Sequence, residues 1–441
     1  MDIIIVLIVI LIIMIKSAIM KGRMNLLINL FRRQTIFLAY MVFFSSQFSS
    51  SCSSDHSIEF KHQVIATPLP GTEWGTGGFT LADYDGDGDL DVTIQCRSDD
   101  DKVYWYEYRE SDKWIPHFIG IAREYQLGGT AYDVNRDGHT DLVMGHVWFR
   151  NPGDLNANPD SEWDMYPYNG DMPEENHDIV TADINLDGME DIVMYNQEAG
   201  TLRWYNTTDP YNWTYTDIAT DVNENDVHSG LFPKGFADLD NDNYVDLIMP
   251  VFWYKNPGTT GEKWIKKEYL YTPILPNPYG KGMRVWSGDI NSDELNDIIY
   301  SDCDVQFSKV YLLINEDGGK TWKKEEIPVP ESNVGESGSF HSLQVADFDN
   351  DGDLDIFAGE QEDPNKLMKP PGLKERGIIF QNIGTIKRPQ FSPVIIHEDN
   401  PGWHDALIGD VDGDGDIDIV SKVWNADQPV YHLDYWENKL K

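Results

Sequence analysis

From residue 83 onward the chain repeats one alternation of apolar and polar positions. A short apolar segment runs into a knot of acidic and small residues, and a second apolar segment leaves it, as in Leu90-Asp91-Val92-Thr93-Ile94 and Leu142-Val143-Met144. Runs of this length, bounded by turn residues, predict β-strands. An aromatic pair leading to Asn follows: Trp148-Phe149-Arg150-Asn151, Trp204-Tyr205-Asn206, Trp253-Tyr254-Lys255-Asn256 and Tyr435-Trp436-Glu437-Asn438. A Trp then opens a further strand at Trp114, Trp163, Trp213, Trp264 and Trp322. Each unit therefore holds four strands, the content of one propeller blade.

The acidic knots begin at Asp83, Asp133, Asp183, Asp238, Asp289, Asp347 and Asp410, separated by 50, 50, 55, 51, 58 and 63 residues. Seven units at that period predict an all-β, seven-bladed β-propeller. The seventh unit stops after Asn438 with no room for a fourth strand, while Ile58 to Val64 has no inner strand of its own. The N- and C-terminal strands are expected to pair and close the ring, which removes free sheet edges. The recurring Trp and Tyr residues are read as core between blades rather than as sugar platforms.

The knots have a ligand pattern of their own. Oxygen-bearing side chains stand at positions 1, 3, 5 and 9, with Gly at 6 for a tight turn, which is how a short loop wraps oxygen atoms around calcium. The candidate ligands are Asp83, Asp85, Asp87 and Asp91; Asp133, Asn135, Asp137 and Asp141; Asp183, Asn185, Asp187 and Asp191; Asp238, Asp240, Asp242 and Asp246; Asp347, Asp349, Asp351 and Asp355; and Asp410, Asp412, Asp414 and Asp418. Carboxylates without His or Cys suit calcium rather than zinc. In the fifth copy, Asp289 to Asp297, Glu294 replaces the Gly and tolerates a left-handed backbone poorly, so this loop is expected to bind most weakly. Asn243 replaces the Gly of the fourth copy.

Charge then changes the picture. The formal net charge of -41 repels phosphates and argues against a nucleic-acid partner. Aromatic residues at 12% supply a large core, so the acid excess points to bound cations rather than disorder. Cys96 and Cys303 cannot form a disulfide framework. Residues 1–52 differ in composition from the rest. Basic residues, an apolar run from Thr35 to Phe44 and small residues ending at Cys52 have the layout of an export signal with a lipoprotein processing site. The run Ile3 to Ile15 is short for a bilayer, and residues 1–23 are read as preceding the true start, at Met20 or Met24. The propeller is assigned to 53–441, on the bacterial cell surface, in the outer membrane or periplasm, or secreted.

These residues resemble the FG-GAP or VCBS repeat family, whose Ala-Asp opening is carried by Phe236-Ala-Asp238 and Val345-Ala-Asp347. The resemblance implies a calcium-binding propeller, and its members range from adhesion ectodomains to lectin-like modules and carbohydrate lyases or dehydratases. Candidate chemistry sits where the inner strands begin, at the end away from the loops. His177, His341 and His404 each stand six residues before a loop's first Asp, with Lys234, Arg284 and Trp286 near that level. Asp178 and Asp405 directly follow their His, and His146, Asn196, Asp302 and Glu360 lie past the second strands. A His base beside a cation suits abstraction of the proton next to a uronate carboxylate and loss of a β substituent. The chain accordingly resembles the propeller portion of aldos-2-ulose dehydratase-like proteins and, more loosely, propeller polysaccharide lyases. The expected substrate is an acidic poly- or oligosaccharide, and the catalytic candidates are His177, His341, His404, Arg284 and Lys234. Hydrolysis through Asp302 and Glu360, and a non-catalytic module binding glycan or protein, remain open at this point.

Overall fold

The computed structural model describes residues 58–440 apart from 70–75, 97–100, 123–126, 169–175, 260, 272–278, 363–367, 400–401 and 425–430. The region read as an export signal, Cys52 included, lies outside the described residues.

The strands form seven antiparallel meanders around a central channel, a seven-bladed β-propeller. The first blade is Thr76–Ala82, Asp91–Cys96, Lys102–Glu110 and Lys113–Ile121, counted from the channel outward. Blades two to six repeat this order over 129–167, 176–219, 236–268, 282–327 and 340–398. The seventh takes Asp405–Gly409, Asp418–Lys422 and Leu433–Asn438 from the C-terminal end and Phe60–Ala66 from the N-terminal end. Phe60 lies opposite Asn438 and His62 opposite Trp436, so the expected closure is present. His62 Nε2 is 2.8 Å from Asp434 Oδ1, and its ring stacks on Trp436 at 4.2 Å.

Packing explains why the aromatic residues recur. The buried apolar side chains fall into clusters that each bridge two neighbouring blades, one for every blade interface. Trp163 packs edge-on against Tyr84 of the previous blade, and Trp114 does the same against Tyr435 across the closure. These Trp residues are core, as the sequence pattern implies.

The Asn after the aromatic pair is a staple between blades. Asn151 Nδ2 donates to Tyr84 O, Asn256 to Ile184 O, Asn315 to Leu239 O and Asn438 to Phe348 O, at 2.8 to 2.9 Å. Each acceptor is the second residue of the acidic loop one blade earlier. Asn438→Ala strands the buried Phe348 carbonyl, and the expected cost of about 1–3 kcal/mol is read as a lower denaturant midpoint. An unchanged midpoint would show that the staple carries nothing.

The fourth blade departs from the repeat. Its inner strand is split into Pro233–Lys234 and Phe236–Ala237, and the first piece runs parallel to the fifth blade, Pro233 opposite Val285 and Lys234 opposite Trp286. Pro233 has no N–H to give a ladder, and the chain there crosses to the neighbouring sheet.

Candidate functional site

At one end of the channel are the acidic loops. The first Asp of a loop accepts backbone N–H groups from positions 5 and 6, as Asp347 does from Asp351 and Gly352 at 3.0 and 2.9 Å. Position 6 is left-handed even where Gly is missing, with φ of 72° at Asn243 and 71° at Glu294. Position 4 is left-handed too, including Arg136 and Leu186 at 62° and 59°. Side chains there carry strain, which the sequence pattern does not announce.

The ninth Asp has two tasks. Asp355 Oδ2 accepts Phe348 N–H at 3.1 Å and its Oδ1 accepts Asn382 N–H at 2.6 Å, tying the loop to the end of the third strand. The same pair of bonds recurs at Asp141, Asp246 and Asp418. Burial, reinforced by repulsion from neighbouring carboxylates, pushes the Asp91 and Asp355 carboxyls up to about 8.

The carboxylates also converge. Oxygens of Asp83, Asp85 and Asp91 lie within 4.8 Å of one another, as do those of Asp238, Asp240 and Asp246 and of Asp347, Asp349 and Asp351. Asp85 Oδ2, Asp240 Oδ1, Asp353 Oδ1 and Asp410 Oδ1 are buried and accept no hydrogen bond. Basic side chains from the third strand reach in, Arg109 to Asp87, Arg150 to Asp137 and Lys255 to Asp240 and Asp242. The converging carboxylates, with buried oxygens that accept no hydrogen bond, fit a hard cation held by oxygen ligands.

At the other end, three blades bring polar side chains to one recess. It is lined by His177, Asp178, Arg284, His404 and Asp405, with Phe79 and Phe232, and is small and partly open to solvent. The hub is Arg284, which is buried. Its Nη2 donates to Asp405 Oδ1 at 2.8 Å, its Nε to His341 O at 2.9 Å, and Nη1 lies 3.6 Å from Asp178 Oδ1 without a hydrogen bond. Lys422 Nζ sits 2.9 Å from the other Asp405 oxygen.

The three expected His residues have different environments. His177 Nδ1 is 3.0 Å from Asp178 Oδ1, and Asp178 Oδ2 accepts Gly230 and Leu231 N–H at 2.7 and 2.9 Å. Burial opposes ionisation of Asp178, but His177, Arg284 and these N–H groups hold its carboxyl well below the usual range. The Asp178 carboxylate thereby fixes the imidazole with Nε2 free. His341 is tied in place: Nδ1 is 2.7 Å from His404 O, and its ring stacks on His404 at 3.8 Å. Burial, with His341 alongside, drives the His404 imidazole far below its ordinary value, so it is neutral at neutral pH.

Other candidates lie elsewhere. Lys234 is half-buried with Nζ 5.1 Å from the Trp286 ring centroid, apart from the recess, a consequence of the split inner strand. Glu360 is fully buried in a fork with Arg376, at 2.8 and 2.7 Å, and also accepts Gly338 N–H. Its oxygens are committed to structure, which removes one partner of the hydrolytic pair. Burial raises Asp302 to about 7. The sequence pattern does not single out His228, Asp304 and Lys422, which also border the cluster. His228 precedes the split inner strand of the fourth blade, Asp304 directly follows the second strand of the fifth, and Lys422 ends the second strand of the seventh.

Residues 83–144 and 289–358 match the FG-GAP-like repeat family, so the chain carries FG-GAP-like repeats. A search of curated proteins finds no match. Among solved structures it is similar to rhamnogalacturonan lyase YesW, at 13% identity over 85% of this chain and 75% of that one, TM-score 0.43. It is also similar to the exotype rhamnogalacturonan lyase YesX, at 13% identity over 85% and 76%, TM-score 0.41. A NanB sialidase from Streptococcus pneumoniae matches at 10% identity over 85% and 71%, TM-score 0.39. Likeness at this level carries no activity across.

Proposed function

We propose that this protein is an exported carbohydrate-active lyase or dehydratase that acts by β-elimination on uronate-containing poly- or oligosaccharides, with calcium in its acidic loops. The observation that carries the reading is the His177–Asp178 pair beside Arg284 on one recess. His177 Nε2 takes the proton next to the uronate carboxylate. A carbon–carbon double bond forms as the carbon–oxygen bond at the β carbon breaks, and the leaving oxygen collects a proton. Arg284, buried at the wall of the recess, supplies positive charge beside the carboxylate on which charge builds.

Calcium is supported by hard oxygen ligands that converge, some buried and without a donor. When bound, it supplies counter-charge and rigidity at the end away from the recess and no step of the elimination.

Incubation with a panel of acidic glycans tests the reading. A rise in ultraviolet absorbance from a conjugated unsaturated uronate is expected with at least one. Binding at the recess without product would favour a non-catalytic glycan-binding module instead.

Export rests on the layout ending at Cys52. A lipidated amino terminus with more than one acyl chain anchors stably, so Cys52→Ser is expected to move the protein out of the membrane fraction. An unchanged distribution would contradict the anchor.

A further inference from the structure

Two aromatic rings outside the repeated pattern stand beside the histidines of the recess. Tyr279 lies in the connection between the outer strand of the fourth blade and the inner strand of the fifth, and it is 45% exposed. Its ring centroid is 5.9 Å from that of His228, and the His228 ring meets His177 edge-on at 4.7 Å. Trp424, two residues past the second strand of the seventh blade, is partly buried and stacks on His404 at 5.5 Å. Arg284 stands between the two groups, 2.8 Å from Asp405, the residue after His404, and 3.6 Å from Asp178, the residue after His177.

Single exposed aromatic residues are common on protein surfaces and need no purpose. These two differ in that the backbone holds them beside the recess. Gly280 takes a φ of 108°, which side chains rarely adopt, and a Cβ there would stand 3.0 Å from Asp226 O. Lys281 N–H then donates to Asp226 O at 2.5 Å and His228 N–H to Lys281 O at 2.8 Å, which ties the segment carrying Tyr279 to the one carrying His228. Trp424 is fixed through both of its backbone groups: its N–H donates to Glu362 Oε1 at 2.7 Å, and its carbonyl accepts Thr76 N–H at 3.1 Å. Burial, with a neighbouring imidazole, holds His228 down at about 4 and His404 far below its ordinary value, so both rings are uncharged at neutral pH and extend the aromatic surface. Rigid aromatic rings supply contact area at little entropic cost. Their apolar faces match the C–H face of a pyranose, whose hydroxyls meanwhile keep their water.

From these contacts we infer that Tyr279 and Trp424 are sugar-stacking platforms on either side of the recess, and that the glycan lies across it with one pyranose against each ring and the uronate between them, at His177 and Arg284. The substrate is then a uronate inside a chain, with a residue on both sides, rather than a terminal one. The inference rests on the elimination reading for the face that takes substrate, and it is tested by binding alone.

His177→Ala protein in calcium is titrated calorimetrically with uronate homo-oligomers and with oligomers alternating a uronate and a neutral hexose, of one to six residues. Affinity is expected to rise from one residue to three and to level off beyond that. Tyr279→Ala in the same background is expected to lower trisaccharide affinity by about 10-fold and to leave that of the monosaccharide unchanged, while Tyr279→Phe keeps the wild-type value. Trp424→Ala should act alike from the other side. The Tyr279 ring is exposed, so Tyr279→Ala should keep its melting temperature and report on the platform alone, whereas Trp424→Ala also loses its stack on His404. Trisaccharide binding that depends on Tyr279, without unsaturated product when His177 is intact, would support the platforms and remove only the elimination. Affinity that Tyr279→Ala leaves unchanged, equal affinity for one residue and three, or no binding of any of these oligomers would overturn the inference.

Discussion

Chelation of the calcium-loaded protein is expected to lower its melting temperature steeply, and restored calcium to reverse the loss. An ion that binds the folded state alone contributes about 2.7 kcal/mol at a hundredfold excess over its Kd. Six loops with the full ligand set bring this to the order of 10 kcal/mol, more than most single substitutions achieve. The pH dependence carries a second signature. Burial holds the carboxyls of Asp91 and Asp355 at about 8 and those of Asp141, Asp191, Asp246, Asp297 and Asp418 at about 7, against roughly 4 in an unfolded chain. Between these values the folded state binds more protons than the unfolded one, so the chelated protein loses stability as pH rises from about 4 toward 8. Calcium is expected to flatten that fall, because the ionised carboxylates become its ligands. Asp412→Asn with Asp414→Asn should cost more of the calcium effect than Asp293→Asn. Equal losses would mean that the loop with Glu294 works as well as the others.

The second large effect is on turnover. His177→Ala is expected to reduce elimination by about 10² to 10⁴ while leaving the increment in melting temperature that calcium adds unchanged, because the side chain lines the recess and the loops lie at the other end of the blades. Asp178→Asn should lose much of the same activity, since it removes the acceptor that holds the ring. The other members of the cluster should behave differently. His341→Ala removes a stacked, hydrogen-bonded ring from the interior, and Arg284→Ala leaves Asp178 without its cation and Asp405 with Lys422 alone. Breaking a buried ion pair from one side costs about 3–5 kcal/mol, so both variants are expected to lose stability as well as rate. A His177→Ala enzyme with wild-type turnover would move the base elsewhere in the recess.

The blades were legible because each acidic loop marks the turn between an inner strand and its neighbour, and the incomplete seventh unit implied the pairing of Phe60–Ala66 with Leu433–Asn438. Counting back from the loops also put His177, His341 and His404 at one end, since antiparallel strands keep a fixed register. Register failed where the repeat is broken. Lys234 follows Pro233 in a strand that pairs with the next blade, so its count from Asp238 misplaces it. His228 lies in the connection that leads into the fourth blade and Asp304 just past a second strand, and the spacing from the acidic loops singles out neither. Nor could spacing show that Arg284 is a buried hub, or that Glu360 is spent on Arg376. The staple formed by Asn151, Asn256, Asn315 and Asn438 was visible as a recurring letter, while its bond to the preceding blade needed three dimensions.

The masses of the products bear most directly on the central claim, because elimination and hydrolysis differ by one water. Wild-type protein in calcium, given a uronate-containing oligosaccharide that it consumes, is expected to yield fragments whose masses sum to that of the substrate, one of them unsaturated, and His177→Ala none. Fragments that sum to the substrate plus water, or a substrate that binds at the recess and is never cleaved or dehydrated, would contradict it.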